Sequence, residues 1–350
     1  MILDKIKDIK PTSVAVRENA KEAFDLVAMP LDSLGLLQET VIDIAAIFEG
    51  EKIDISKRAV AVFCADNGVV AQGISQVDSS RTAQVAYEIA NKRTVMCTMA
   101  RHVKADVFCA DIGMLTKLDN CDIIDLSIAE GTKDFTVHAA MSKDQALQAM
   151  ERGFDLACNL HSQGYNLLIA GEMGIGNTTT SAAMACAMLK LSPELVAGAG
   201  AGLSPEGIAR KAQVIGRGIK LHNPDPNDAI EVLSTLGGFD IAGMAGFMLG
   251  CAYSKIPCVL DGIIAGVAAM VAVSLAPASS DYLFASHESR EPVAAQILKT
   301  LQKDAVIHAK LKLGEGSGAV CVLPLLDIAI DVFYNGPSFA KMNMEAYKPL

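Results

Sequence analysis

Four short apolar runs constrain this chain more than any other feature. Each closes on small or acidic residues, and each is followed by a helical pattern. Residues 59–65 (AVAVFCA) lead into Asp66-Asn67-Gly68, and 105–110 (ADVFCA) lead into Asp111-Ile112-Gly113. Residues 166–170 (NLLIA) lead into Gly171-Glu172-Met173-Gly174, and 257–260 (PCVL) into Asp261-Gly262. Runs of this length, dominated by Val, Ile, Leu and Ala, read as strands buried on both faces. Helical patterns between them predict an α/β, Rossmann-like, mainly parallel sheet flanked by helices. Ligands of such sheets bind beyond the carboxyl ends of the strands. The small and acidic residues fall there.

The apolar content supports close helix–sheet packing. Hydrophobic residues make up 51% of the chain, yet only 5% are aromatic, Trp is absent and there are 28 Gly. Residues 11–29 and 33–49 have helical spacing, broken at Met29-Pro30. With the helical stretch from about 324 to 350 they lie outside the strand–helix alternation. The organisation predicted is a small helical domain (1–50 plus about 324–350) beside a large α/β catalytic domain (about 51–323). A formal net charge of −10 argues against nucleic acid or an anionic membrane surface as partner. The nine Cys include no CxxC pair and mostly lie in apolar runs, which predicts free buried thiols in a reducing, cytoplasmic compartment. The six His are scattered, so no metal site is expected. MILDKIKDIK has no apolar signal core, so export is not expected. Residues 241–254 and 262–280 are almost charge-free and carry Gly246/Gly250 and Gly262/Gly266 at Gly-x-x-x-Gly spacing. A transmembrane hairpin would fit. Without basic flanks or an aromatic belt, buried core helices fit better.

Three motifs carry chemistry. Residues 171–180 (GEMGIGNTTT) follow a strand and precede a helix expected over Ser181–Leu191. Their glycines permit tight turns, and the helix start offers free N–H groups to a phosphate. Gly171 and Gly176 have Walker A spacing, but Asn177 stands where a Lys is required, so an NTPase is discounted. Residues 198–211 (GAGAGLSPEGIARK) form a second Gly-rich turn, with Ser204 as N-cap, Pro205 at the first helical position and Lys211 about two turns in. Residues 313–318 (LGEGSG) set Glu315 between glycines, a position suited to a general base. Ser286-His287-Glu288 invites a hydrolase reading, but adjacent residues rarely form a triad; a helix N-cap by Ser286 or Ser289 is expected instead.

These motifs occur in an order similar to that of one family. Gly171-Glu172-Met173-Gly174-Ile175-Gly176-Asn177-Thr178-Thr179, Gly200-Ala201-Gly202-Leu203 with Lys211, Ser286-His287 and Gly314-Glu315-Gly316-Ser317-Gly318 resemble the nicotinate-nucleotide:dimethylbenzimidazole phosphoribosyltransferases over nearly the whole length. The resemblance implies ribose 5-phosphate transfer from nicotinate mononucleotide to an aromatic lower-ligand base. It also implies a homodimer (in some relatives a heterodimer), and neither metal nor cofactor. It places the general base at Glu315 and phosphate contacts at Gly174, Gly176, Asn177, Thr178, Gly202 and Lys211. Glu172 falls near the ribose or nicotinate. Independently of the resemblance, Asp66 and Asn67 close the first strand at 65–75 and read as holding a ribose or shaping the base pocket, or else as an Asx turn. With Asp261, a strand-end carboxylate within the matched stretch, Asp66 completes the expected substrate-binding set. Asn67 departs from the family's usual Ala-Asp-His-Gly-Val, as does the base-binding stretch 76–81. Some relatives use purine or phenolic acceptors, so these departures leave the acceptor open.

Overall fold

A computed structural model describes residues 2–119 and 121–347. Among them, six strands form one sheet: β1 Arg58–Ala65, β2 Ala105–Gly113, β3 Ile123–Asp125, β4 Leu167–Met173, β5 Cys258–Leu260 and β6 Leu283–Ala285. The order is β3-β2-β1-β4-β5-β6 and every neighbouring pair is parallel. All eight residues of β1 are buried, as expected for a central strand covered on both faces. The chain builds outward from β1 to β3, then returns to lay β4 on the other side of β1. That reversal opens a crevice at the carboxyl ends of β1 and β4.

The four runs read as strands are strands. β4 continues further than its apolar run, because Phe63 and Cys64 of β1 still pair with Glu172 and Met173. Glu172 therefore stands on a strand end and not in a loop. The following helix starts earlier than expected, at Asn177. Two three-residue strands, β3 and β6, gave no sequence signal; both lie at the sheet's outer edges.

The charge-free stretches are the buried helices Phe239–Tyr253 and Ile263–Leu275. The first lies against helix Lys143–Ser162 at backbone contact. A Cβ on Gly246 would stand 1.8 Å from the Met150 carbonyl oxygen, and one on Gly153 would stand 1.9 Å from that of Gly243. Glycine is the only residue that permits this approach. Gly246→Ala is expected to lower unfolding free energy by roughly 3 kcal/mol in a denaturant titration, because overpacking outweighs the ~1 kcal/mol gain in helix propensity. A midpoint at or above wild type would refute the contact.

Helix Ser317–Asn335 is long and apolar enough to cross a membrane by length and composition. Here its first turns are buried beside Val60 and Ile169, and Arg58 holds Asp327 with two hydrogen bonds of 2.7 and 2.8 Å. Its far end packs on the N-terminal helices, with the Phe24 and Phe333 ring centroids 4.8 Å apart and a bridge between Val27 and Ser338. The nine cysteines are free, six of them buried.

Candidate active site

A cavity of about 330 Å³ opens at the carboxyl edge of the sheet. Both Gly-rich turns and the Leu-Gly-Glu-Gly loop border it: residues 172–178 at the end of β4, 199–203, and 312–315. Residues 74–76 and Val85 close one side, and Asp261–Ala265 with His287 and Glu291 close another.

The first turn is shaped by its glycines and by a threonine. Gly176 is left-handed (φ 94°) where it caps the helix Asn177–Leu189, and the Ile175 amide donates to Thr82 Oγ1 at 3.2 Å. Asn177 is buried, and its amide nitrogen donates to two carboxylates at once: Glu172 Oε2, and Asp240 Oδ2 at 2.9 Å. Burial pushes the Glu172 carboxyl well above the usual range. Asp240 adds to the shift, and the Asn177 amide opposes it. Burial likewise lifts Asp240 to about 6.

Lys211, on the helix Pro205–His222 that Ser204 caps as expected, is fully buried. Its ammonium donates to Thr178 Oγ1 at 3.0 Å and to the Gly198 carbonyl at 3.3 Å. It does not border the cavity. It lies beneath it, tying one cradle to the other. Burial lowers its pKa to about 8, offset in part by Glu291. Glu291 holds the second turn from the other side, accepting from the Gly200 amide at 3.0 Å.

Glu315 has φ 61° between Gly314 (84°) and Gly316 (86°). Three successive left-handed residues turn the loop sharply, and only the glycines adopt that conformation without strain. Asp261 clamps the turn: its carboxylate accepts from the amides of Gly316 (3.2 Å), Gly318 (2.7 Å) and Ala319 (3.2 Å). The same contacts satisfy amides at the start of helix Ser317–Asn335. Glu315 Oε2 is buried and has no hydrogen-bond partner among the described residues. Burial raises the Glu315 carboxyl, with the Thr94 hydroxyl opposing and Asp261 reinforcing. Glu172 reaches the same loop, its Oε1 lying 2.8 Å from where a Cβ on Gly314 would stand.

The cavity thus gathers Glu172, Gly174, Gly176, Asn177, Thr178, Gly202, Asp261 and Glu315. Lys211 stands behind it. Asp66 is not brought to it. That carboxylate accepts from the Leu115 amide at 2.9 Å and borders an adjoining depression with Asp78, Ser79 and Thr132. Neither serine of the Ser-His-Glu segment caps a helix. Ser286 Oγ donates to the Leu260 carbonyl (2.6 Å), Ser289 accepts from the Glu291 amide (3.4 Å), and the next helix begins at Ala294 without a side-chain cap. Three site residues were given no site role from the sequence. Glu291 gave no signal. His287 borders the cavity, lies 3.0 Å from Ser286 Oγ and is held below its ordinary pKa by burial. Asp240 had one available cue, a lone carboxylate at the head of the charge-free run 241–254.

Comparison with known proteins agrees with this architecture. A family model described as a phosphoribosyltransferase matches residues 9–343. The chain is 35% identical over 350 residues to the nicotinate-nucleotide–dimethylbenzimidazole phosphoribosyltransferase of Acetivibrio thermocellus, covering 100% of this chain and 99% of that one. It is 36% identical over 345 residues to the enzyme of the same name from Clostridium acetobutylicum, covering 99% and 98%. The crystal structure of CobT from Thermus thermophilus superposes with a TM-score of 0.90 at 32% identity, covering 95% of this chain and 100% of that one. With its parallel sheet, its paired glycine-rich turns and full-length similarity of this degree, the chain belongs to the nicotinate-nucleotide–dimethylbenzimidazole phosphoribosyltransferase family, pentosyltransferases that activate the lower ligand of cobamides.

Proposed function

We propose that the protein transfers ribose 5-phosphate from nicotinate mononucleotide to 5,6-dimethylbenzimidazole or a related benzimidazole, giving an α-ribazole phosphate and nicotinate. One observation carries the reading: a buried, unpartnered carboxylate oxygen of Glu315 shares a cavity with two anion cradles. An acceptor oxygen in that state needs a donor, and the N–H of a benzimidazole, made acidic as its other nitrogen bonds C1, is one.

The donor's 5′-phosphate would rest on the turns at 174–178 and 199–202, with the Lys211 ammonium beneath both. Its pyridinium leaves the ribose C1 with the bonding pair and becomes neutral nicotinate nitrogen. Positive charge grows on C1 as it departs, and the carboxylates around the cavity stabilise it. One acceptor nitrogen bonds C1 from the opposite face, inverting β to α. The other nitrogen loses its proton to Glu315.

The acceptor side favours flat apolar rings. Ile74, Val85, Met173 and Leu313 border the cavity, and Ser75 and Gln76 beside Ile74 are the polar groups on that side. That wall also supports a second reading, a phenolic acceptor, whose hydroxyl proton would pass to Glu315 as its oxygen bonds C1. A purine's polar edges would meet only Ser75 and Gln76 there, and the Gln76 amide already donates to the Gly202 carbonyl. The test is nicotinate release by the purified protein with nicotinate mononucleotide and a panel of benzimidazoles, phenol, p-cresol and adenine. Adenine is expected to show kcat/KM at least about tenfold below the best ring, the cost of an unpaired polar group. No release with any acceptor would end the proposal, and adenine as best acceptor would end the account of the wall. A cytoplasmic dimer, working without cofactor, metal, nucleic acid or membrane, belongs to the same reading, with a heterodimer as the alternative. So does the division into a helical unit, 1–50 with about 324–350 (residue 1 and 348–350 lie outside the described residues), and an α/β unit of about 51–323; the Phe24–Phe333 contact supports it.

A further inference from the structure

Building on the transferase reading above, we propose that Asp240 is a positioning residue for the reaction: tied through the Asn177 amide, Asp240 and Glu172 jointly hold one proton and one negative charge, and the donor meets Glu172 as an uncharged hydrogen-bond donor.

Asp240 is fully buried in the first turn of helix Phe239–Tyr253 and does not border the cavity. Its Oδ1 accepts from the Ile241 amide at 3.0 Å and its Oδ2 from Asn177 at 2.9 Å. The same Asn177 nitrogen serves Glu172 Oε2. A single amide therefore holds two carboxyl groups close together. Among the described residues neither has an ion-pair partner. The charged groups facing them carry the same sign: Asp261 at the end of β5 and Glu315 before helix Ser317–Asn335 face Glu172, and Asp66 at the end of β1 faces Asp240. Two adjacent carboxylates, one fully buried and the other half-buried at the cavity wall, with no cation between them, do not both ionise readily at neutral pH.

A second observation gives the proton a place at the other end. Asn67 Oδ1 is buried without a partner. It and Asp240 Oδ1 crowd one spot, 2.6 and 2.3 Å from where a Cβ on Gly238 would stand. Both oxygens are acceptors and flank the same point, so a proton visiting Asp240 would put a donor on the side of the unpartnered Asn67 oxygen. Asp240 lies in the first turn of its helix and accepts from the Ile241 amide, which favours its charged form, so the shared proton resides mainly on Glu172. A neutral Glu172 does not repel an anionic donor and can give a hydrogen bond to a ribose hydroxyl or to the nicotinate carboxylate. Glu315 is left as the base.

The test is infrared difference spectroscopy of the ligand-free enzyme across pH, following the carbonyl band of a protonated carboxylic acid. Subtracting the spectrum of Glu172→Gln isolates the Glu172 band. Its midpoint in Asp240→Asn is expected at least about one pH unit below wild type, because a neighbouring charge is gone. The pH at which the donor KM rises should move down with it. Asn67→Asp, which approaches the pair from the other side, is expected to move the midpoint up. An unmoved midpoint in a folded Asp240→Asn or Asn67→Asp protein overturns the proposal, as does the absence of any wild-type band removed by Glu172→Gln. The spectrum needs no turnover, so an enzyme that releases no nicotinate would sink the function proposed above and leave this result readable.

Discussion

Glu315→Gln is expected to lower kcat by about 10²–10⁴ while leaving the donor dissociation constant close to wild type. Glutamine keeps the side chain's shape and reach, so the loop clamped by Asp261 should hold its turn. What it cannot do is take the proton that makes attack irreversible. Because burial raises the Glu315 carboxyl, the acid limb of kcat/KM should lie above the ordinary glutamate range. Activity falls as pH drops through that limb, and the limb disappears in the variant. Steady-state kinetics with nicotinate release, alongside calorimetric titration of the donor, checks both parts. Full turnover in Glu315→Gln would remove this residue as base.

Lys211→Met should weaken donor binding by about 10- to 150-fold, the range for losing a hydrogen bond to a charged group. The lysine is buried with no carboxylate in ion-pair range among the described residues and Glu291 acting only from further off, so on the proposed reading a phosphate resting on the two turns would be its nearest counter-charge. The pH dependence has a definite sign. The folded-state pKa is lowered from 10.5 to about 8. Between those values the unfolded chain binds the proton and the folded chain does not, so this group makes stability rise with pH across that window. Donor affinity should fall over the same window, because the neutral amine no longer attracts phosphate. Opposite slopes for melting temperature and affinity, both flattened in Lys211→Met, are the expected signature. Unchanged donor affinity in the variant would refute the role.

The fold was legible because its strands are buried on both faces and so write continuous apolar runs, as at 59–65 and 166–170. β3 and β6 were not, since three residues at an edge carry no period. Site residues held by local backbone were legible too. Glu315 is announced by its flanking glycines, and the turn at 174–178 by its place between strand and helix. Residues that act through distant partners were not. Nothing near Asp240 in the chain names Asn177 or Glu172 as its neighbours. Asp66 and Asp261 look alike as strand-end carboxylates, yet one turns to the Leu115 amide and the other to the Glu315 loop. Only the packing of the loops separates them.

The two sides of the cavity come from separate stretches of chain. Ile74 and Val85 hang from the segment after β1, whereas Glu315 and its Asp261 clamp belong to the opposite half of the sheet. Mutation can therefore rewrite one side while the other stays fixed. A lineage could drift from one ring to another by editing a few positions around 74–85, inheriting the proton-transfer apparatus intact at every step.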